Sequence, residues 1–169
     1  MKNIRAILFD VDGVLTDGSI TLDANGEEIK KFNVRDGQLV GFMRSQGYIF
    51  GAISGRKSKA LEHRLMEMGI DFFRLGVNDK LFALNEFLKE FNLLPEMVGY
   101  IGDDVVDIEV LKLVGVSFAP SDAIPIVLSN VQVITKSKGG QGVLRDVIEM
   151  LIYSDYDLKS NFHLSFKIQ

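Results

Sequence analysis

The sequence predicts an α/β fold: a doubly wound, mostly parallel sheet of the Rossmann-like kind with a projecting β-hairpin. Strand-like and helix-like segments alternate along the chain, as in a parallel sheet that helices cover on both faces. The first strand-like segment, residues 4–9, is short, apolar and rich in β-branched and aromatic residues. Asn25-Gly26 separates two alternating segments, residues 19–22 and 27–34, and this dipeptide is a strong hairpin signal.

After the hairpin, glycines and apolar faces indicate where helices begin and end. Asp36-Gly37 opens a helix over about residues 36–46. Leu61, Leu65 and Met68 share one face of the next helix, which Gly69 closes. The remaining predicted helices are residues 79–91, 104–113, 122–128 and 143–152.

The other predicted strands are short apolar runs between these helices. They are residues 48–53, 71–75, 97–101, 114–118 and 131–134. Residues 136–142 form a glycine-rich loop, and the tail, about residues 153–169, is weakly patterned. We expect one domain over residues 1–169, with a hairpin insertion at about 19–33.

Composition limits the classes of function. The net charge of −4 provides no basic field, so we expect no nucleic-acid partner. The absence of cysteine excludes disulfides and thiolate metal sites and is compatible with a reducing compartment. Because no signal peptide or membrane-length apolar run follows Met1, we expect a cytoplasmic enzyme without a membrane partner.

Polar residues gather where the predicted strands end. Parallel sheets bind ligands at the carboxyl ends of their strands, so residues distant in sequence meet there. Asp10 and Asp12 are two positions apart in extended backbone and face the same side. The other residues at or just beyond strand ends are Ser54, Gly55 and Arg56, Lys80, and Asp103, Asp104 and Asp107.

This set of side chains suits phosphoryl transfer. Asp10, Asp12 and Asp103 offer the hard oxygen ligands that Mg²⁺ prefers, and the cation would relieve the repulsion between them. Ser54 and nearby backbone N–H groups can hold a phosphate oxygen, and Lys80 supplies a cation. Neither histidine lies near a strand end and there is no cysteine, so the candidate nucleophile is a carboxylate that forms an aspartyl phosphate.

Each of these residues also has an ordinary structural interpretation. Asp-Gly at residues 12–13 is a common turn, and Ser54-Gly55 can be a turn with a helix cap. Lys80 alone is typical of a solvated helix residue, and Asp103-Asp104 can simply begin a helix. The functional interpretation is favoured because all four groups, at Asp10-Asp12, Ser54, Lys80 and Asp103-Asp104, fall at the same edge of the predicted sheet.

The chain resembles the haloacid dehalogenase superfamily of phosphotransferases. The resemblance rests on Asp-x-Asp-Gly-Val from Asp10, Ser54 after the second buried strand, Lys80, and Gly-Asp-Asp-x-x-Asp at residues 102–107. It implies that Asp10 is the nucleophile and Asp12 the general acid/base, and that Ser54 and Lys80 bind the transferred phosphoryl group.

The resemblance also implies a metal site. Mg²⁺ would bind the carboxylates of Asp10 and Asp103 and the main-chain carbonyl of Asp12. Asp104 and Asp107 would support the metal ligands and Lys80.

Further segments resemble the sugar acid phosphate phosphatases of this superfamily, over the chain to about residue 150. These segments are residues 12–18, 31–37, 53–58 and 139–142. The likeness implies a homotetramer without a large cap domain, in which the hairpins form part of the assembly and a neighbouring subunit helps to cover the site. The insertion after Asp12 is long enough for a hairpin but not for a cap domain.

For the substrate we expect a small sugar acid phosphate. Arg56 and Arg64, with Gly55, are candidate substrate-binding residues, because paired arginines can hold a carboxylate by hydrogen bonds. The nine-carbon sugar acid 9-phosphate phosphatases tend to carry an acidic residue where this chain has Arg56, which favours an eight-carbon substrate. In the structural interpretation, both arginines are simply solvated.

Three other functions stay open: hydrolysis of a nine-carbon sugar acid 9-phosphate, a receiver-type phospho-acceptor module, and a non-catalytic phosphatase-like assembly domain. Receiver domains carry adjacent acidic residues and place the acceptor after a middle strand, unlike Asp10 and Asp12. The presence of every acidic position and Lys80 argues against a decayed site. Steady phosphate release would distinguish an enzyme from both modules.

Overall fold

The computed structural model describes residues 3–166, and a six-stranded parallel sheet lies at its centre. Its strands are β1 (Ala6–Phe9), β4 (Ile49–Ser54), β5 (Phe72–Leu75), β6 (Val98–Ile101), β7 (Val116–Ala119) and β8 (Val133–Ile134). They are ordered β5-β4-β1-β6-β7-β8. The chain therefore starts in the middle, builds one half of the sheet and then the other, and the strand order reverses at β1. This topology confirms the predicted doubly wound fold.

Helices cover both faces of the sheet. They are α1 (Val34–Gln38), α2 (Val40–Ser45), α3 (Lys59–Met68), α4 (Lys80–Phe91), α5 (Ile108–Leu113), α6 (Pro125–Leu128), α7 (Val143–Ser154) and α8 (Tyr156–Phe166). Buried residues of α2, α3, α7 and α8 form one hydrophobic cluster, and those of α4, α5 and α6 form the other. Within residues 3–166, no helix combines the length and the hydropathy that a membrane span requires.

The predicted hairpin is present but its strands are short. Strands β2 (Thr21–Leu22) and β3 (Glu28–Ile29) pair antiparallel as a separate two-stranded sheet. Asp23 orders the turn, because its carboxylate accepts hydrogen bonds from the N–H groups of Asn25 and Glu27, both at 2.8 Å. A two-stranded ribbon this small is marginal alone, so its position depends on contacts with the rest of the chain.

The predicted helix over residues 36–46 is instead two short helices. The first begins two residues early because the Asn33 side chain caps it, accepting a hydrogen bond from Arg35 N at 3.0 Å. The helical run is interrupted at Leu39, between Gly37 and Gly41. Glycine lowers helix stability, which accounts for the weak middle of this segment.

The tail contains a helix, which its weak pattern does not indicate. In α8 only Leu158 and Phe162 are buried, whereas Tyr156 and Leu164 are exposed. Phe162 packs edge-to-face on Phe42 of α2, with ring centroids 5.5 Å apart. Because just two positions are buried, the apolar periodicity is too sparse to predict this helix. Residues 167–169 of the tail lie outside the described part of the chain.

Candidate active site

The carboxyl ends of β1, β4 and β6 meet at the point where the strand order reverses. Phe9, the last residue of β1, is in register with Ala52 on one side and Ile101 on the other. The residues that follow these strands therefore face a common crevice, as open α/β sheets place their ligands. The cavity there has a volume of about 380 Å³ and is lined by Asp10, Asp12, Gly55, Arg56, Val77, Asn78, Lys80, Asp103, Asp104 and Val106.

Lys80 links the two acidic segments. It is the first residue of α4, which Asp79 caps, so its side chain starts at the strand-end edge of the sheet. Its Nζ lies 2.9 Å from Asp10 Oδ1 and 2.7 Å from Asp107 Oδ1, and only 6% of the residue is exposed. Burial disfavours the ammonium, but the two carboxylates outweigh burial and raise the pKa of Lys80. Lys80 is thus a fixed cation beside Asp10.

Asp107 organises the floor of the site through four hydrogen bonds. Its Oδ1 accepts from Lys80 Nζ and from the Tyr100 hydroxyl at 2.6 Å. Its Oδ2 accepts from the N–H groups of Asp103 and Asp104, at 3.1 and 3.2 Å. Both oxygens are therefore already used, which suits a structural carboxylate better than a metal ligand.

Three carboxylates lie close together in the cleft, and two of them, Asp10 and Asp103, remain available to a metal ion. Oxygens of Asp10, Asp103 and Asp107 lie within 4.8 Å of one another. Oδ1 of Asp103 is buried and has no hydrogen-bond partner among residues 3–166. Burial raises the pKa of Asp10 to about 7, although the Lys80 ammonium lowers it in part. Burial and the charges of Asp10 and Asp107 raise the pKa of Asp103 to about 8.

These observations fit a divalent cation held chiefly by Asp10 and Asp103. A hard cation would provide a partner for the orphaned Asp103 oxygen and stabilise both carboxylates as anions. Gly13 makes this arrangement possible. A Cβ at Gly13 would lie 2.0 Å from Asp103 Oδ2, and its φ of +87° favours glycine.

The end of β4 provides groups suited to a phosphoryl oxygen. Gly55 lines the cavity, and Ser54 beside it is fully buried. The Ser54 hydroxyl accepts a hydrogen bond from Arg56 N at 3.1 Å, and no described residue accepts its proton. Ser54 itself is not among the residues that line the cavity, so its contact with a phosphoryl oxygen stays a prediction.

Arg56 lies at the cleft, but the structure does not bring Arg64 there. Arg56 lines the active-site cavity and a neighbouring cavity of about 460 Å³ between the hairpin and the start of α3. Arg64 lies eight residues further along on α3, where its guanidinium binds Glu67 of the same helix at 2.8 Å and the carbonyl of Asn33, the cap of α1, at 3.2 Å. Within a single chain the structure therefore brings Arg56, but not Arg64, to the cleft, and a role of Arg64 in substrate binding stays a prediction.

The glycine-rich loop packs against the loop after β1 of its own chain. Gly140 N donates to the Val14 carbonyl at 3.0 Å. A Cβ at Gly139 would lie 2.3 Å from the Gly13 carbonyl oxygen, so glycine permits the contact. The loop therefore supports the segment that carries Asp12.

Sequence reasoning missed two charged residues of the hairpin. Lys30 Nζ lies 2.5 Å from Asp12 Oδ1, and Glu28 binds Arg56. Glu28 and Lys30 are two positions apart in a predicted strand, so their opposite charges lie on the same face. This pattern in the sequence could have indicated a charged surface on the hairpin. Their partners, Asp12 and Arg56, could not be predicted, because the sequence does not show how the hairpin lies against the sheet.

Comparisons with known proteins find related hydrolases. The sequence model of haloacid dehalogenase-like hydrolases matches residues 67–147. The 3-deoxy-D-manno-octulosonate 8-phosphate phosphatase of Escherichia coli is 40% identical over 89% of this chain and 80% of the relative, and that of Yersinia pestis is 40% identical over 96% and 87%. The crystal structure of the Moraxella catarrhalis enzyme with magnesium, phosphate and the sugar acid matches with a TM-score of 0.92 and 31% identity, over 98% of this chain and 94% of that one.

Proposed function

Since the chain belongs to the haloacid dehalogenase-like hydrolases, we propose that it is a Mg²⁺-dependent phosphatase of 3-deoxy-D-manno-octulosonate 8-phosphate. The observation that carries the proposal is the meeting of Asp10, Lys80 and Asp103 at the reversal point of the sheet, in a chain 40% identical to relatives with that activity. The reaction releases the free sugar acid and orthophosphate.

The first step is the attack of Asp10 on phosphorus. Lys80 holds the Asp10 carboxylate at 2.9 Å and favours its ionised form. Lys80 and the Ser54 hydroxyl bind oxygens of the transferred group and stabilise its charge. Mg²⁺, held by Asp10, Asp103 and the Asp12 main-chain carbonyl, would add charge neutralisation at the phosphoryl oxygens.

The second step is hydrolysis of the aspartyl phosphate on Asp10. Asp12 lines the same cavity as Asp10 and gives its proton to the leaving sugar oxygen in the first step. It then accepts a proton from the attacking water, so it returns to its starting state. Asp107 positions Lys80 and, through the backbone N–H groups of Asp103 and Asp104, the turn that carries the metal ligand Asp103.

The test is steady orthophosphate release from the purified chain. With Mg²⁺ we expect many turnovers on the eight-carbon substrate, loss of activity with a chelator, and recovery when Mg²⁺ is restored. The nine-carbon sugar acid 9-phosphate tests the alternative that this compound is the substrate. We expect its kcat/KM to be at least about tenfold lower than that of the eight-carbon substrate. At most one phosphate released per chain would indicate a receiver-type module, and none from any ester would indicate an assembly domain.

Arg56 is the candidate for recognising the substrate carboxylate. It links the phosphoryl-binding cavity to the cavity beside the hairpin, and 47% of its side chain is exposed. We expect Arg56→Ala to raise the KM for the sugar acid phosphate about tenfold, the loss of about 1.4 kcal/mol of binding. kcat should change little, because the role proposed for Arg56 is to bind the substrate carboxylate, which does not take part in the reacting bonds.

Arg74→Ala is the matched control, because Arg74 is also partly exposed but binds Glu86 and Glu90 away from the cleft. Steady-state kinetics on the eight-carbon substrate measure both variants. An unchanged KM for Arg56→Ala would exclude the carboxylate contact.

We also propose a homotetramer in which the hairpins pack between subunits. Ile20, Leu22 and Ile29 of the hairpin are 58, 57 and 55% exposed. Apolar side chains grouped on one small ribbon favour burial against another surface.

A further inference from the structure

A buried lysine of the hairpin binds the residue proposed to transfer protons. Lys30 directly follows β3, and its Nζ lies 2.5 Å from Asp12 Oδ1. Only 2% of its side chain is exposed, whereas its neighbours Ile29 and Lys31 are exposed. Burying an ammonium costs several kcal/mol unless it is paired, so the contact with Asp12 fixes where Lys30 can lie.

Glu28 holds Lys30 and connects it to the cleft. Its Oε2 lies 3.4 Å from Lys30 Nζ, while its Oε1 accepts a hydrogen bond from Arg56 Nε at 3.0 Å and lies 2.9 Å from Arg56 Nη2. Charges therefore alternate in sign along Asp12, Lys30, Glu28 and Arg56. This row joins the proton-transfer residue to the residue proposed to bind the substrate carboxylate.

The contacts of Asp12 leave one of its oxygens available. Lys30 Nζ and the Thr16 hydroxyl, at 3.4 Å, both bind Oδ1. No residue in the described range 3–166 bonds Oδ2. The two contacts to Oδ1 fix the rotamer of the Asp12 side chain and leave Oδ2 as the oxygen available to a substrate in the cavity that Asp12 lines.

We propose that Lys30 is a positioning residue for Asp12, held in place by Glu28, so that the hairpin belongs to the catalytic apparatus of its own subunit. The inference rests on the proposed phosphatase function. As the P–O bond to the sugar breaks, the bonding pair stays on the leaving oxygen and Asp12 Oδ2 gives that oxygen its proton. Water that attacks the aspartyl phosphate later returns a proton to Asp12. Lys30 takes no part in either transfer except by orienting the carboxylate.

The test uses two leaving groups. A sugar alkoxide needs a proton to leave, whereas the phenolate of p-nitrophenyl phosphate leaves without one. We expect Lys30→Met to lower kcat/KM for the sugar acid phosphate about 10²-fold, within the range of general acid catalysis, and to change kcat/KM for p-nitrophenyl phosphate less than about threefold. kcat/KM is the informative quantity because it does not include the later hydrolysis step.

Three further variants separate positioning from folding. Lys30→Arg should recover part of the loss, and Glu28→Gln should show a smaller loss with the same preference for the alkyl ester. Lys31→Met removes an adjacent, exposed lysine and should leave both substrates unchanged. Equal losses on both substrates, or no loss on either, would overturn the positioning role. Failure of the proposed function would instead appear in the unmodified chain, as absence of sugar phosphate hydrolysis.

Discussion

Asp10→Asn should abolish orthophosphate release while the protein stays folded. Without a carboxylate at this position no aspartyl phosphate can form, so we expect turnover to fall by about 10⁴-fold or more. The fold should tolerate the change because Asn removes a buried charge and Lys80 keeps its 2.7 Å contact with Asp107. The measurement is phosphate release at saturating substrate and Mg²⁺, with circular dichroism to verify folding.

Asp17→Asn is the matched control for this variant. Asp17 lies in the same loop after β1 but is exposed, and among residues 3–166 its carboxylate hydrogen-bonds only with the N–H and hydroxyl of Ser19. An asparagine oxygen can accept the same hydrogen bonds, so we expect ordinary activity. Turnover by a folded Asp10→Asn chain within tenfold of the unmodified rate would refute the nucleophile assignment.

The core of the site could be predicted because it follows from the topology. Asp10 and Asp103 end neighbouring parallel strands, and such ends meet wherever the strand order reverses. Lys80 begins the helix after β5, so its Cα also had to lie at that edge. No side-chain detail was needed for these placements, only the alternation of strands and helices.

The hairpin and the arginines could not be predicted in the same way. The position of Lys30 depends on how a small ribbon packs on the loop after β1, which strand order does not determine. Arg64 is on a correctly predicted helix, yet its side chain turns to the Asn33 carbonyl and away from the cleft. In both cases the position of the charged group depends on the direction of a long side chain. The spacing of residues in the sequence does not determine that direction.

The role of Asp107 could be predicted only in part. The sequence indicates that it lies near Lys80, and the structure shows which hydrogen bonds it makes. The resemblance implied that Asp107 supports Lys80, and the 2.7 Å contact is present. The hydrogen bonds from Tyr100 and from two backbone N–H groups were not predictable, since they depend on a tight turn after β6. They make Asp107 the most completely bonded carboxylate of the site.

Asp107→Asn should be strongly destabilising for this reason. An asparagine has one acceptor oxygen, and its NH₂ group would have to face either Lys80 and Tyr100 or the two backbone N–H groups. Either orientation leaves buried donors without acceptors, and the substitution removes one of the two charges that compensate Lys80. We expect the free energy of unfolding to fall by about 3 kcal/mol, since losing one partner of a buried ion pair typically costs 3–5 kcal/mol.

Urea denaturation without Mg²⁺ or phosphate measures this loss directly, because no ligand then stabilises the folded state. Glu109→Gln, two residues along and exposed, is the control and should change stability by less than about 0.5 kcal/mol. If Asp107→Asn unfolded at the same urea concentration as the control, the four hydrogen bonds would not be holding the site together. Lys80 would then depend on Asp10 alone for its position, and the nucleophile and its cation would form a pair independent of the turn after β6.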